Sequence, residues 1–317
     1  MILSLSGGGL NGLAYLGLFR YFESQGISHN QFKIYGSSIG AMFGTLWAMG
    51  YEAEFLIKLF VRNSFIPRAN FSHLIHSYGL DDGQELEIIL KNVISEKFDE
   101  MVTLNEFKNV YICTCNISQK KIEYMSHETH PNLPVYLAIR MSCNLPFIFS
   151  PLWYENSLYI DAAAMENVPM PSLFHEPILF CRFESTNLSR EEVANVSECV
   201  TFGKSENKES VNDSKENLSH PKQCVQDCTN NADDKKNIYV NYLQNIVSLA
   251  NQDRFSVMER FISKIYPESY ILRIFKPFHV CNFWIPIEKM NTQILLGYQT
   301  ARRDKKLSFF LKKNLGT

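Results

Sequence analysis

The chain has 317 residues, of which 45% are hydrophobic and 20% are charged. This composition supports a large globular core and excludes a short fibrous or disulfide-stapled peptide. Its 31 Lys and Arg against 33 Asp and Glu give a formal charge of -2, so the overall field does not favour nucleic acid as a partner. No uncharged apolar stretch reaches 18 residues, and any membrane contact is therefore expected to be peripheral.

Strand-like runs and helical patterns alternate from the first residue. Residues 2–6 predict a strand, residues 7–9 a glycine loop, and residues 10–25 a helix. A second strand at 32–35 and a helix through residue 49 repeat this unit. Further strands are predicted at 110–117, 122–125, 158–160, 177–183 and 270–275, and further helices at 86–94, 135–141, 239–265 and 288–313. The pattern predicts an α/β fold with a mixed sheet.

The composition changes over residues 203–236, which hold 13 charged residues and no aromatic residue. Such a segment cannot build a core, so it is expected to be a mobile polar insertion within a single domain that spans residues 1–317. His220, Cys224 and Cys228 within it could supply three zinc ligands. Their loose spacing favours a solvated segment instead.

Four of the eight cysteines lie within apolar stretches: Cys113, Cys115, Cys143 and Cys181. They are expected to be buried free thiols rather than a disulfide framework, which indicates a reducing compartment. The first residues carry no basic region followed by an apolar run, so no signal peptide is predicted. The expected location is the cytoplasm, with peripheral contact to membranes as an option.

Residues 7–12 satisfy the pattern G-x-G-x-x-G between a strand and a helix. A dinucleotide site would also need an acidic residue at the end of the second strand, where the chain instead has Gly36, Ser37 and Ser38. The loop could be a simple tight turn. It could also direct its main-chain N–H groups at an oxyanion, provided that a nucleophile lies nearby.

Residues 36–40 supply a candidate nucleophile, because G-x-S-x-G at a strand-to-helix turn is typical of a nucleophile elbow. Ser38 is the candidate, and its hydroxyl needs a base. A triad of Ser38, Asp161 and either His175 or His279 is one interpretation. However, α/β-hydrolases take their nucleophile from a strand deeper in the sheet than the second of the chain.

The motifs at residues 7–12, 36–40 and 161–169, together with residues 78–83 and 140–151, resemble the patatin-like phospholipase family. The resemblance implies a three-layer α/β/α sandwich with a mostly parallel central sheet. It also implies a Ser38-Asp161 dyad without histidine. The oxyanion would be held by the loop of Gly7, Gly8 and Gly9, and the motif-supporting residues would be Gly12, Gly36, Gly40 and Ala162. The chain departs from the family at Asn11, where members often have Arg or Lys.

The resemblance further implies a lipid acyl hydrolase of phospholipase A or lysophospholipase type that works through an acyl-enzyme intermediate. The expected partners are a phospholipid or another acyl lipid and a peripheral membrane surface, and neither a cofactor nor a metal is needed. An acylglycerol lipase or an acyltransferase could use the same dyad. A lapsed enzyme that only binds lipid or a partner is the remaining alternative, and the intact Ser38 and Asp161 argue against it.

Overall fold

A mostly parallel sheet forms the centre of the fold. The computed structural model of the chain describes residues 1–62, 70–171, 176–184, 259, 262–277 and 285–316. By its contacts the chain divides into Met1–Thr186 with Leu243–Thr317, and Asn187–Tyr242. Every described residue lies in the first of these units. The polar insertion predicted at 203–236 and most of the helix predicted at 239–265 lie outside the described residues, so the single-domain expectation stays a prediction.

Five strands pair in parallel in the order β10-β9-β1-β2-β4. Their bounds are β1 (Ile2–Leu5), β2 (Lys33–Ser37), β4 (Val110–Asn116), β9 (Ile178–Glu184) and β10 (Tyr270–Phe275). Antiparallel strands β5 (Lys121–Met125), β7 (Leu152–Tyr154) and β8 (Ser157–Asp161) complete the sheet beside β4. Two short strands, β3 (Gly79–Asp81) and β6 (Phe147–Phe149), pair with each other separately.

Eight labelled helices lie within the described ranges. They are α1 (Leu13–Ser24), α2 (Ile39–Ala48), α3 (Ala53–Arg62), α4 (Phe71–Ser77), α5 (Gln84–Ser95), α6 (Val135–Ser142), α7 (Ile287–Arg303) and α8 (Lys305–Leu315). The predicted α/β class with a mostly parallel sheet is confirmed. The single helix predicted at 288–313 is wrong, because Asp304 leaves the helical conformation and its Oδ1 accepts a hydrogen bond of 2.9 Å from the N–H of Leu307, which caps a second helix.

Side chains alternate between the two faces of the sheet and are buried on both. On β1, Leu3 and Leu5 belong to the large core cluster that contains α1 and α2, whereas Ile2 belongs to a smaller cluster on the opposite face. Phe180 of β9 and Tyr266, which follows helical residues 262–265, share that smaller cluster. Burial on both faces explains why the strands read as nearly continuous apolar runs. Within the described ranges no helix combines the length and hydropathy needed to cross a bilayer.

The register of β4 brings the ends of β2 and β8 together. Cys113 pairs with Ser37 of β2, and the next residue, Thr114, pairs with Asp161 of β8. Because β5 occupies the other edge of β4 along both residues, β2 and β8 lie on the same edge. The residue after β2 and the last residue of β8 therefore become neighbours.

Trp47 fixes α2 against α1. Its buried indole stacks on Phe19 with ring centroids 4.5 Å apart, and its Nε1 donates a hydrogen bond of 2.9 Å to the Glu23 carboxylate. The position of the helix that follows Ser38 therefore depends on this contact.

We expect Trp47→Ala to lower the free energy of unfolding in urea by about 3–5 kcal/mol, because it opens a cavity between two core helices. Trp153→Ala is the matched control, since that indole is 70% exposed. It should change the free energy of unfolding by no more than about 0.5 kcal/mol. Equal losses in the two variants would contradict the assignment of Trp47 to the core.

Candidate active site

Ser38 lies in the sharp turn between β2 and α2. Its φ of 54° and ψ of -125° are a combination that residues other than glycine rarely adopt. Such strain persists where the surrounding structure enforces it, and it is concentrated at functional sites. The turn exposes the Ser38 side chain at the N-terminus of α2, where the helix dipole favours negative charge.

The glycines of both motifs allow the chain to pack closely around this turn. A Cβ at each of three positions would meet a neighbouring atom at an impossible distance: 2.5 Å from the carbonyl oxygen of Leu5 for Gly40, 2.4 Å from Cα of Ala41 for Gly36, and 2.3 Å from Cγ1 of Ile39 for Gly12. At Gly36 and Gly40 the atoms met belong to the main chain, and at Gly12 they belong to the Ile39 side chain close to its Cβ, so a larger residue at any of the three would force a shift. These glycines therefore allow close packing around the Ser38 turn.

Asp161, the last residue of β8, is fully buried beside Ser38. Its Oδ1 accepts a hydrogen bond of 2.8 Å from the N–H of Ala163, at the start of a tight turn that begins with the buried Ala162. In the described part of the chain, its Oδ2 has no hydrogen-bond partner of ordinary geometry. One carboxylate oxygen is thus fixed, and the other is available.

Burial raises the pKa of Asp161 to about 6, and hydrogen bonds from the Ser38 hydroxyl and from the N–H of Ala163 limit the rise. The Ser38 interaction is therefore close enough to affect the carboxyl, although it falls outside ordinary hydrogen-bond geometry. Loose contacts of this kind are common in catalytic sites without substrate. The Ser38 hydroxyl therefore lies next to a buried carboxyl.

Buried thiols, rather than charged groups, surround this carboxyl. Burial and the charge of Asp161 raise the pKa of both Cys115 and Cys143, which keeps these thiols neutral. Both are free cysteines, as are Cys113 and Cys181, so the prediction of buried free thiols is confirmed for these four. Among the described residues, the groups that shift the pKa of Asp161 include no histidine. His175 and His279 lie outside the described residues.

The glycine loop lies directly against Ser38. A Cβ on Gly7 would stand 3.2 Å from Cβ of Ser38 and 2.6 Å from Oδ1 of Asn167. The N–H of Gly7 donates a hydrogen bond of 3.0 Å to the carbonyl of Asn167, whereas the N–H groups of Gly8 and Gly9 have no acceptor among the described residues. Gly7 therefore provides space beside Ser38, and Gly8 and Gly9 provide the open donors.

Asn11 holds this loop in place. Its buried side-chain amide donates a hydrogen bond of 3.0 Å to the carbonyl of Gly8, and its own carbonyl accepts one of 3.1 Å from Nε2 of Gln293 in α7. Asn11 occupies the position at which the family resemblance led us to expect Arg or Lys. It holds the loop through neutral hydrogen bonds instead of a charge. Asn167 and Gln293 were not predicted as parts of the site, because each acts through the main chain of the loop.

A metal centre has no support in the described part of the chain, where no three His, Cys, Asp or Glu side chains are grouped to hold an ion. The candidate zinc ligands His220, Cys224 and Cys228 lie outside the described residues.

The family model for patatin-like phospholipases matches residues 3–174, which is more than half of the chain. The chain therefore belongs to the patatin-like phospholipase family, and the resemblance inferred from the motifs is confirmed. This is a family of lipid hydrolases.

Two curated relatives and one solved structure are similar to the chain. Probable lipid hydrolase 463L of invertebrate iridescent virus 6 is 25% identical over 181 residues, which cover 53% of this chain and 61% of that protein. Lysophospholipase nte1 of Neurospora crassa is 29% identical over 171 residues, covering 52% of this chain and 10% of that protein. The crystal structure of VipD from Legionella pneumophila shares the fold, with a TM-score of 0.50 and 11% identity over 99% of this chain and 67% of that one. The chain spans about three fifths of the length of the viral relatives that it matches.

The burial of Asp161 predicts how stability depends on pH. Because its pKa is raised from 3.8 to about 6, the native state binds this proton more tightly than the unfolded state, and native stability falls as pH rises through that range. Asp161→Asn removes the ionisation. We expect the variant to gain on the order of 3 kcal/mol relative to the native protein between pH 3.5 and pH 7.5, measured by urea unfolding.

Asn92→Ala is the control, because residue 92 is exposed and neither side chain ionises. Its stability difference from the native protein should stay flat over the same pH range, since no proton is gained or lost at this position. A flat difference for Asp161→Asn as well would show that Asp161 is not buried as an acid.

Proposed function

We propose that the protein is a lipid acyl hydrolase of phospholipase A or lysophospholipase type, with Ser38 as nucleophile and Asp161 as general base. One observation carries the proposal. The hydroxyl of the strained Ser38 lies close enough to the fully buried Asp161 carboxyl to lower its pKa, and Oδ2 of that carboxyl has no other hydrogen-bond partner among the described residues. A serine hydroxyl needs such a base, and a base with a pKa near the working pH is the most effective.

The proposed reaction has two halves. The Asp161 carboxylate accepts the Ser38 proton while Oγ attacks the ester carbonyl carbon, and the tetrahedral intermediate collapses as Asp161 returns the proton to the leaving alcohol. An acyl-enzyme remains. Asp161 then takes a proton from water, the resulting hydroxide attacks the acyl carbon, and the proton passes back to Ser38 as the fatty acid leaves.

The oxyanion of each intermediate would be stabilised by main-chain donors of the glycine loop. The N–H groups of Gly8 and Gly9 are the candidates, because the N–H of Gly7 is already bonded to Asn167. Gly7 would instead leave room for the substrate carbonyl beside Ser38. Fixed donors of this kind stabilise developing charge without reorganisation at the moment of reaction.

An acyl lipid is the proposed substrate, supported by the family and by relatives named lipid hydrolase and lysophospholipase. Peripheral binding to a membrane surface follows from that substrate class. Hydrolysis and acyl transfer differ only in whether water or a lipid hydroxyl attacks the acyl-enzyme. Analysis of the products with labelled phospholipid vesicles would separate these outcomes, because a transferase yields a new ester instead of free fatty acid.

We expect Ser38→Ala to reduce hydrolysis of a soluble short-chain ester by at least about 10³-fold, because the nucleophile is removed. A fluorophosphonate probe should label the native protein at Ser38 and leave the variant unlabelled. In the native protein, kcat/KM should fall as pH decreases through about 6, where Asp161 becomes protonated.

Ser37→Ala is the control for this substitution. Its buried hydroxyl, next in sequence to Ser38, has no hydrogen-bond partner among the described residues, so its removal should leave turnover within a few-fold of the native value. Unchanged turnover in Ser38→Ala, or labelling at a different residue, would refute the proposed nucleophile.

We expect Gly7→Ala to reduce kcat/KM by about 10²-fold, because its methyl group would fill the space beside Ser38 in which the substrate carbonyl must lie. Gly8→Ala is a less selective probe, since its Cβ would lie 2.3 Å from the buried Phe183 ring.

The methyl group on residue 7 would also meet Asn167, so the substitution is repeated in an Asn167→Ala background. If the methyl acts on the substrate space, Gly7→Ala causes the same loss in that background. If activity returns once Asn167 is shortened, the loss came from displacement of Asn167, and the role given to Gly7 is wrong.

A further inference from the structure

Ser142 connects the end of α6 to the main chain of Ser38. Its buried Oγ accepts a hydrogen bond of 2.9 Å from the N–H of Ser38 and donates one of 2.6 Å to the carbonyl of Cys113. Cys113 is the residue of β4 that pairs with Ser37. Ser142 therefore bonds to the strained turn and to the strand beside it at the same time.

Asn144, two residues further on, makes the corresponding connection to Asp161. Its carbonyl accepts a hydrogen bond of 2.9 Å from the N–H of Asp161, and its Nδ2 donates one of 3.3 Å to the carbonyl of Tyr159. Strand β7 pairs with β8 only as far as Tyr159. Beyond Tyr159, the main-chain N–H of Asp161 has no partner in β7. The carbonyl of Asn144 provides the acceptor instead.

The side chain of Asn144 is itself held by Arg140, whose guanidinium is almost completely buried. Arg140 donates to Oδ1 of Asn144, and it also donates to the carbonyls of Asp82 at 2.9 Å and Gly83 at 3.2 Å. A buried guanidinium with three acceptors has little freedom to move, because each lost hydrogen bond would leave a desolvated donor. Arg140 therefore fixes the orientation of the Asn144 amide.

We propose that Ser142 and Asn144, together called the α6 brace, are positioning residues that set the separation of Ser38 and Asp161. The proposal rests on the proposed function of those two residues. Neither brace side chain is placed to touch the reacting atoms. The Ser142 side chain bonds to the N–H of Ser38. The Asn144 side chain, bonded to Arg140 and to the carbonyl of Tyr159, fixes the Asn144 carbonyl that accepts from the N–H of Asp161. The Ser38 to Asp161 interaction is already loose, so a small displacement at either end would move it out of productive geometry.

The test compares two brace variants with two matched controls. Ser142→Ala and Asn144→Ala remove brace side chains. Ser4→Ala and Asn116→Ala remove an equally buried serine, bonded at 2.7 Å to the carbonyl of Pro169, and an equally buried asparagine, bonded at 3.0 Å to the Glu123 carboxylate. For each protein, kcat, KM and their pH dependence are measured with a soluble short-chain ester, and the melting temperature is measured in parallel.

We expect kcat of each brace variant to fall about 10- to 100-fold with KM within about twofold of the native value. The acid limb of the pH profile should move to higher pH, because the Ser38 hydrogen bond that lowers the pKa of Asp161 is weakened. The controls should lose comparable melting temperature and keep both kcat and the acid limb. If Ser142→Ala does not fold, Ser142→Cys retains the volume of the side chain with a weaker acceptor and should show the same changes.

The outcomes separate the two proposals. If the native protein is active and labelled at Ser38 but the brace variants match the controls, the brace is wrong and the proposed function stands. If the native protein neither hydrolyses the ester nor reacts at Ser38, the proposed function and the brace fail together.

Discussion

The register of β4 is the constraint on which the site depends. Cys113 and Thr114 are consecutive on one edge of this strand, and they pair with Ser37 and Asp161 respectively. A shift of one residue in either pairing would move the corresponding side chain to the other face of the sheet. Because both faces are packed against core clusters, such a shift is costly: it would place the side chains of each strand in a core that is packed for different side chains. The core therefore defines the relation of two residues that are far apart in the sequence.

Two unfavourable features are concentrated where these strand ends meet. Ser38 has a φ of 54°, and the Asp161 carboxyl is buried with its pKa raised to about 6. Each costs free energy in the native state, and each would have a purpose in acyl transfer: the turn exposes the hydroxyl, and burial makes the carboxylate more basic. Ser142 at the end of α6 and the pairing of Ser37 with β4 hold the strained turn, and the Trp47 contact holds the far end of α2. A stable scaffold is what allows a destabilised site to persist.

The sequence predicted the features that have a local signal. The strand at 270–275, the glycine loop and the serine at a strand-to-helix turn follow from periodicity and from the positions of glycine, and the family follows from the order of the motifs. Three strands of three residues each, β3, β6 and β7, are too short to show a period. The pairing of Asp161 with Thr114 and the hydrogen-bond partners of Ser142 depend on tertiary contacts, for which a single sequence carries no signal. The sequence also did not predict that Asn11 holds the glycine loop, because this contact is completed by Gln293 near the other end of the chain.

The glycine loop shows that the site extends beyond the part of the chain that the family model matches. That match ends at residue 174. Gln293 of α7 nevertheless donates to the carbonyl of Asn11, and the Phe183 ring of β9 lies where a side chain at Gly8 would be, packed 4.9 Å from the Tyr15 ring. Part of the packing and hydrogen bonding around the loop therefore comes from residues outside the match, and the matched segment alone would retain Ser38 and Asp161 without that part.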